Sequence, residues 1–255
     1  SFTILDDDDQ LRLLKALLID HNLDPKAHSP RAVSNAISRW KDRGWVPEKV
    51  PLDEIPSGLC EGQLGRIYDA YQSRLLELNA CDFGDLLLHN LTIFRTNSAI
   101  LETYQHRFRF ILVDEYQDTN RIQSDLVDLM GARHQNVMVV GDDSQSIYSW
   151  RGAHFANIFE FPKRYKDATV HKIETNYRST PQILSFANAV IGSNDQQFEK
   201  QLEPARPTGA EPMVVVTNDA HEQAMFVAQK ALELRDEGIE LNEMAILYRS
   251  HFHAM

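Results

Sequence analysis

Two short apolar runs, each ending in acidic residues, constrain this chain more than any other feature. Residues 108–113 read Phe-Arg-Phe-Ile-Leu-Val and lead into Asp114-Glu115, and residues 137–140 read Val-Met-Val-Val and lead into Gly141-Asp142-Asp143. Short, nearly continuous apolar runs of this kind are what a strand in a covered parallel sheet needs. Residues 122–130 between them carry a helical pattern. Strand, helix, strand in this order predicts a right-handed βαβ crossover. Ligands of such sheets bind beyond the carboxyl ends of the strands, which is where both acidic clusters fall.

The flanking segments differ in character. Residues 3–23 read as a helix: the carboxylates Asp6 to Asp9 suit a helix N-terminus, and Leu11, Leu14, Leu17 and Leu18 recur at helical spacing. Residues 30–43, opened by Pro30 and closed at Gly44, predict a second helix, and residues 63–78 and 83–94 predict two more. The first 105 or so residues are therefore expected to be all-helical. From about residue 168 a further α/β portion is expected, with strands at 170–173, 213–217 and 244–248, helices at 181–191 and 221–234, and a polar loop at 192–209.

Composition narrows the class. With 43% hydrophobic and 25% charged residues the chain matches an ordinary soluble globular protein. No apolar run approaches the roughly 20 residues of a membrane span, and no charged-then-apolar leader opens the chain, so no membrane partner and a cytoplasmic location are expected. Cys60 and Cys81 form no C-x-x-C pair, and two free thiols are expected. A net charge of -11 sits awkwardly with nucleic-acid binding, which leans on cations facing phosphates. Between Lys26 and Lys49, however, Lys26, Arg31, Arg39, Lys41, Arg43 and Lys49 face only Asp42 and Glu48. A solvated helix face and a DNA contact both account for that stretch.

Three strings could carry chemistry. In Val113-Asp114-Glu115-Tyr116-Gln117-Asp118-Thr119-Asn120 an apolar strand delivers adjacent carboxylates to a sheet edge. Nucleotide hydrolases use such a pair to hold Mg²⁺ and to accept a proton from the attacking water; an ordinary strand ending in a solvated acidic turn reads the same way. In Gly141-Asp142-Asp143-Ser144-Gln145-Ser146-Ile147-Tyr148-Ser149-Trp150-Arg151-Gly152-Ala153 a carboxamide, Gln145, follows the second strand, and Tyr148 and Trp150 offer flat faces for bases. Core packing is the plain reading of such aromatics. In Thr175-Asn176-Tyr177-Arg178-Ser179-Thr180-Pro181 an arginine stands just before a helix start, where it is either a surface residue or a cation offered to a phosphate.

Taken together, the strings VDEYQDTN, VVGDDSQSIYSWRGA and ETNYRST resemble motifs II, III and IV of the UvrD/Rep/PcrA-like superfamily 1A DNA helicases. FTILDDDDQLRLLKALL and DFGDLLLH look like the helical 1B subdomain of that family, and AILYRS like a strand of subdomain 2A. The resemblance implies an α/β fold: incomplete RecA-like parallel-sheet parts of a P-loop NTPase plus an all-helical 1B subdomain. Residues 1–108 would be 1B, 109–174 the later part of 1A, and 175–255 the first part of 2A. It also implies roles. Asp114 would hold Mg²⁺ and Glu115 would be the general base; Gln145 would contact the γ-phosphate of ATP and couple it to DNA. Tyr148 and Trp150 would stack on single-stranded bases with Arg151 nearby. Tyr177 would lie against the adenine, and Arg178 would be the arginine finger. Movement 3′-to-5′ on single-stranded DNA and at single-strand/duplex junctions, in repair or replication and with DNA-repair proteins as possible partners, belongs to the same expectation.

The chain also departs from that pattern. Nowhere in it is there a G-x-x-x-x-G-K-S/T loop to cradle phosphates. It is therefore expected to be an internal piece of a longer enzyme, and by itself neither to hydrolyse ATP nor to unwind duplex. Two other classes remain open on sequence alone. Asp114, Glu115, Asp118, Asp142 and Asp143 could build a two-metal nuclease, and the helical portion could be a non-catalytic DNA- or partner-binding module.

Overall fold

Helix α1 (Asp7–Asp20) starts where the acidic run predicts, because the Asp6 carboxylate caps it by accepting the Asp9 N–H at 2.9 Å. Residues 3 and 4 are not helical. They form β1 (Thr3–Ile4), paired in parallel with β2 (Ala80–Cys81), so the expectation of an all-helical first portion misses a two-stranded ladder. Helices α2 (Pro30–Asp42), α3 (Leu64–Glu77) and α4 (Phe83–Thr96) follow the predicted positions, and α5 (Ser98–Arg107) extends the helical portion. The computed structural model describes residues 2–248. The chain divides into two compact units, residues 1–172 with 194–199, and residues 173–193 with 200–255.

In the first unit Leu14, Leu17 and Leu18 of α1 pack with Val33, Ile37 and Trp40 of α2 and with Leu64, Ile67, Tyr68 and Tyr71 of α3. One member of the predicted cationic stretch is buried beside this core. Lys41 is 1% exposed, and its Nζ lies 2.6 Å from Asp82 Oδ2 and 2.7 Å from Asp85 Oδ1. Asp82 caps α4 through a reciprocal pair of hydrogen bonds with Asp85, Tyr71 Oη donates to Asp82 at 3.0 Å, and Gln72 Nε2 donates to Asp85 at 2.9 Å. Arg43 pairs with Glu54 at 2.7 Å. Two of the six cations thus serve the protein's own fold, which removes much of the local excess as a phosphate-facing surface.

The predicted βαβ passage is present as β3 (Ile111–Val113), α6 (Arg121–Gly131) and β4 (Val137–Val139), with β3 and β4 parallel and Ile111, Leu112 and Val113 opposite Val137, Met138 and Val139. Leu88, Leu91 and Phe94 of α4 pack on Ile122 and Leu126 of α6, tying the helical portion to this passage. A helix not anticipated from the sequence, α7 (Ala156–Arg164), packs Ile158 and Phe161 against Tyr116 and the two strands.

The second unit contains β5 (Thr175–Asn176), parallel to β6 (Glu203–Pro204), and the helices α8 (Pro181–Ile191) and α9 (Ala220–Asp236). Both helices match their predicted positions to within two residues at each end. The strands expected at 170–173, 213–217 and 244–248 are not formed. A strand exists only within a ladder, and among the described residues none of these three segments meets a partner; Val214 and Leu247 stand 88% and 94% exposed. Arg249 and Ser250 of the A-I-L-Y-R-S string lie outside the described residues. No helix among the described residues is long and apolar enough to cross a membrane.

Lys41→Met would leave two buried carboxylates facing each other and is expected to lower the unfolding free energy by roughly 3–5 kcal/mol, read as a lower urea midpoint. Burial alone would push the Asp85 carboxyl up, but the charge and hydrogen bond of Lys41, with bonds from Asp82 and Gln72, hold it below the ordinary value of 3.8. A carboxyl depressed in the folded state contributes stability above its unfolded value and loses it as pH falls through the folded one. The urea midpoint should therefore drop as pH is lowered below about 4, and less steeply in Lys41→Met.

Candidate active site

The backbone sets the site before any side chain does. Val140 N–H donates to Val113 O at 2.8 Å, and Tyr116 N–H donates to Val140 O at 2.9 Å, so the ladder continues past β3 and both acidic clusters leave the sheet at one edge. Asp114 is exposed there, its Oδ1 accepting the Glu115 N–H at 2.9 Å. Glu115 adopts a left-handed backbone, φ 49° and ψ 42°, at an order-of-magnitude cost of about 1–3 kcal/mol. That turn leaves the Glu115 side chain exposed and sends Tyr116 fully into the core.

Gln117 then links the two clusters. It is 1% exposed; its Nε2 donates to Glu115 Oε2 at 2.8 Å and its Oε1 accepts the Asp142 N–H at 3.0 Å. Asp142 Oδ2 in turn accepts from Gln145 Nε2 at 2.8 Å, and Oδ1 from Ser144 N–H at 3.0 Å. Glu115 and Gln145, thirty positions apart in the chain, are thereby joined through two intermediate residues. Gly141 makes room: a Cβ there would stand 2.7 Å from Gln117 Oε1 and 3.0 Å from Ile158 Cδ1.

The aromatic loop lies in the same unit. Trp150 and Tyr148 are both exposed, Trp150 at 76%, and the Arg151 guanidinium lies 5.5 Å from the Trp150 ring centroid and 5.6 Å from that of Tyr148. Packing in a core, the plain reading of Trp150, is excluded by that exposure. The loop closes on Gly152, at φ 91°, where a Cβ would stand 2.8 Å from Asp42 Oδ2 at the end of α2. Asp42 Oδ1 also accepts from Asn120 Nδ2 at 2.8 Å; burial pushes its carboxyl up, and the Asn120 bond offsets part of that. Beyond the loop, His154 N–H donates to Thr119 O at 2.9 Å, and the fully buried Asn157 Nδ2 donates to Thr119 O at 3.0 Å and Thr119 Oγ1 at 3.1 Å. The turn after the carboxylates and the base of the aromatic loop are thus bolted together. Arg164 secures Tyr116 from behind, donating to Tyr116 Oη at 2.8 Å and Ser124 Oγ at 3.0 Å while pairing with Asp128 at 2.9 Å.

Asp114, Glu115, Gln145, Tyr148, Trp150 and Arg151 all belong to the first unit. Tyr177 and Arg178 belong to the second, where Asn176 Oδ1 accepts from Arg178 N–H at 2.9 Å and Ser179 N–H at 2.8 Å, and Arg206 donates to the Arg178 carbonyl at 2.9 Å. Both side chains are exposed. Sequence reasoning missed Gln117, Asn157, Arg164 and Asp42. Gln117 stands inside the first string, yet its partner at Asp142 is 25 positions away, and no local pattern signals such a bond.

The donor set suits Mg²⁺, which takes one or two carboxylates and keeps waters and phosphates in its shell. Asp114 presents an exposed carboxylate, and one oxygen of Asp118 and the Ser144 hydroxyl are enclosed without a hydrogen-bond partner. Burial, then the Glu115 charge, push the Asp118 carboxyl up. The two-metal nuclease finds no support. Among the described residues no three His, Cys, Asp or Glu side chains converge on one point, while Asp142 is engaged by Ser144 and Gln145, and Asp143 accepts the Phe198 N–H at 3.0 Å.

Residues 1–166 match the UvrD/REP helicase N-terminal domain, and residues 171–255 match the UvrD-like helicase C-terminal domain. Among curated proteins the chain is 40% identical over 252 residues to a probable DNA helicase II homolog of Rickettsia conorii, covering 98% of this chain and 38% of that protein. It is 40% identical over 252 residues to the ATP-dependent DNA helicase PcrA of Bacillus subtilis, covering 98% of this chain and 34% of that one. It is 39% identical over 250 residues to DNA helicase II of Haemophilus influenzae, again covering 98% and 34%. The chain therefore spans little more than a third of the length of these relatives.

Gly141→Ala forces a methyl group against Gln117 and Ile158 and is expected to cost about 1–3 kcal/mol of stability. Gly58→Ala, where a Cβ meets nothing within 4 Å, serves as the control, and urea unfolding of both variants checks the difference.

Proposed function

The chain belongs to the UvrD/REP helicase family, and from that premise we propose that it supplies the hydrolysis and coupling segments of an ATP-driven motor moving 3′-to-5′ on single-stranded DNA. The observation that carries this reading is the hydrogen-bonded path from Glu115 through Gln117 and Asp142 to Gln145, in the same unit as an exposed, arginine-flanked aromatic loop. In this arrangement Glu115 accepts a proton from the water that attacks the terminal phosphoryl group. Asp114 is the residue that would hold Mg²⁺. Bound Mg²⁺ would neutralise charge developing on the phosphates. One N–H of Gln145 is held by Asp142, which leaves its second N–H to meet a terminal phosphate oxygen. Tyr148 and Trp150 stack on bases without reading sequence, which suits a motor that must pass over any DNA. By the family likeness, Tyr177 is proposed to stack on the adenine and Arg178 to act as the γ-phosphate cation.

The organisation proposed with this function is a helical 1B-like portion at 1–108, RecA-like 1A elements at 109–174 and 2A elements at 175–255. Single-stranded DNA and its junctions with duplex are the proposed substrates, in repair or replication.

In the full-length polypeptide that contains this chain, Glu115→Gln should abolish DNA-stimulated ATP hydrolysis while leaving nucleotide binding intact; unchanged turnover would overturn the assignment. The 255-residue chain by itself holds no phosphate-cradling loop and should release no phosphate from ATP. Trp150→Ala should weaken single-strand binding roughly 5- to 150-fold, the equivalent of about 1–3 kcal/mol of stacking, as read by fluorescence anisotropy of a labelled oligonucleotide.

A further inference from the structure

We infer that Gln117 is the positioning residue through which the state of the Gln145 segment reaches the Glu115 carboxylate; the inference rests on the helicase reading above. Three observations carry it. Its carboxamide is almost completely enclosed and has polar partners on both sides, Glu115 Oε2 at 2.8 Å and the Asp142 N–H at 3.0 Å. The assignment of its two ends is forced by chemistry, because a backbone N–H can only donate and an ionised carboxylate can only accept. Finally, the strand end beside it is a glycine whose missing Cβ would stand 2.7 Å from Gln117 Oε1, so the sheet is cut away to admit the group.

The consequence is mechanical. Asp142 holds Gln117 through its backbone and Gln145 through its side chain, so displacement of the 142–145 turn moves both. The same stretch of chain runs on from that turn into Tyr148 and Trp150. A shift of this segment when bases stack would be handed to Gln117 as a change in its Asp142 bond, and to Glu115 as a change in where its carboxylate stands. Gln117 touches neither nucleotide nor water in this scheme; it acts by holding Glu115 in position. A carboxamide is required because one planar group must donate and accept at the same time, and Asn is one methylene too short to span the same two partners.

Two variants separate this role from simple packing. Gln117→Leu removes both bonds at similar volume. Gln117→Glu keeps the acceptor for Asp142 but loses the donor to Glu115, so it remains informative should the leucine variant fail to fold. In the full-length polypeptide both should lower DNA-stimulated kcat by roughly 10- to 100-fold, the scale of a misplaced catalytic group. KM for ATP and oligonucleotide affinity should stay within about twofold, and the ratio of DNA-stimulated to DNA-free turnover should fall toward one. Turnover and stimulation like the parent's in Gln117→Glu would overturn the inference, as would kcat and KM changing in step with a lowered melting temperature in both variants. Glu115→Gln, assayed in parallel, distinguishes the two claims. If it turns over ATP normally, the proposed hydrolysis role of Glu115 fails. If it is dead while Gln117→Glu is fully active, only the positioning role fails.

Discussion

The parallel pairing of β3 with β4 is the constraint on which the site depends. With Val113 opposite Val139, two segments separated by a whole helix end at the same level, and Asp114-Glu115 and Gly141-Asp142 emerge from one edge. A slip of one residue would turn the apolar side chains over and move Asp142 out of reach of Gln117. The register is held by more than the ladder. Tyr116, Ile158 and Phe161 pack beneath the strand ends, and Arg164 binds Tyr116, Ser124 and Asp128 together.

The helical portion of the first unit is stitched to that edge rather than merely attached in sequence. Leucines of α4 share a core with α6, the helix that joins the two strands, and Asp42 at the end of α2 accepts from Asn120 while packing under Gly152. Asn120 caps α6 at the same time. One short stretch, Thr119-Asn120, therefore receives bonds from the region after the aromatic loop and reaches the end of α2. These bonds make one connected network of the elements around the proposed hydrolysis site.

A net charge of -11 argues against a protein that grips DNA by charge alone. The structure sharpens the point, because Lys41 is enclosed between Asp82 and Asp85 and Arg43 is paired with Glu54. The contact proposed for single-stranded DNA is instead two exposed aromatic rings beside one arginine on a short turn. Stacking of this kind contributes affinity with little dependence on base identity.

Much of this was legible in the amino-acid order. Apolar runs ending in carboxylates located β3 and β4, and Pro and Asp residues located the helix starts, because each of these signals is local; the strings around Asp114-Glu115 and Gln145 marked two segments that the structure joins through Gln117 and Asp142. The expected strands at 213–217 and 244–248 show the opposite case: apolar, β-branched residues favour extended backbone, but a strand needs a neighbour that composition does not supply. Lys41, read from sequence as part of a basic surface, is a buried ion-pair partner, since its carboxylates arrive from a helix some forty residues away. The long-range hydrogen bonds of Gln117 and Asn157 were likewise beyond sequence. The residue order determined which chemical groups are present and roughly which element each sits on. Only the tertiary structure decided which of them meet, because a buried hydrogen bond depends on separation in space and carries no mark in the spacing along the chain.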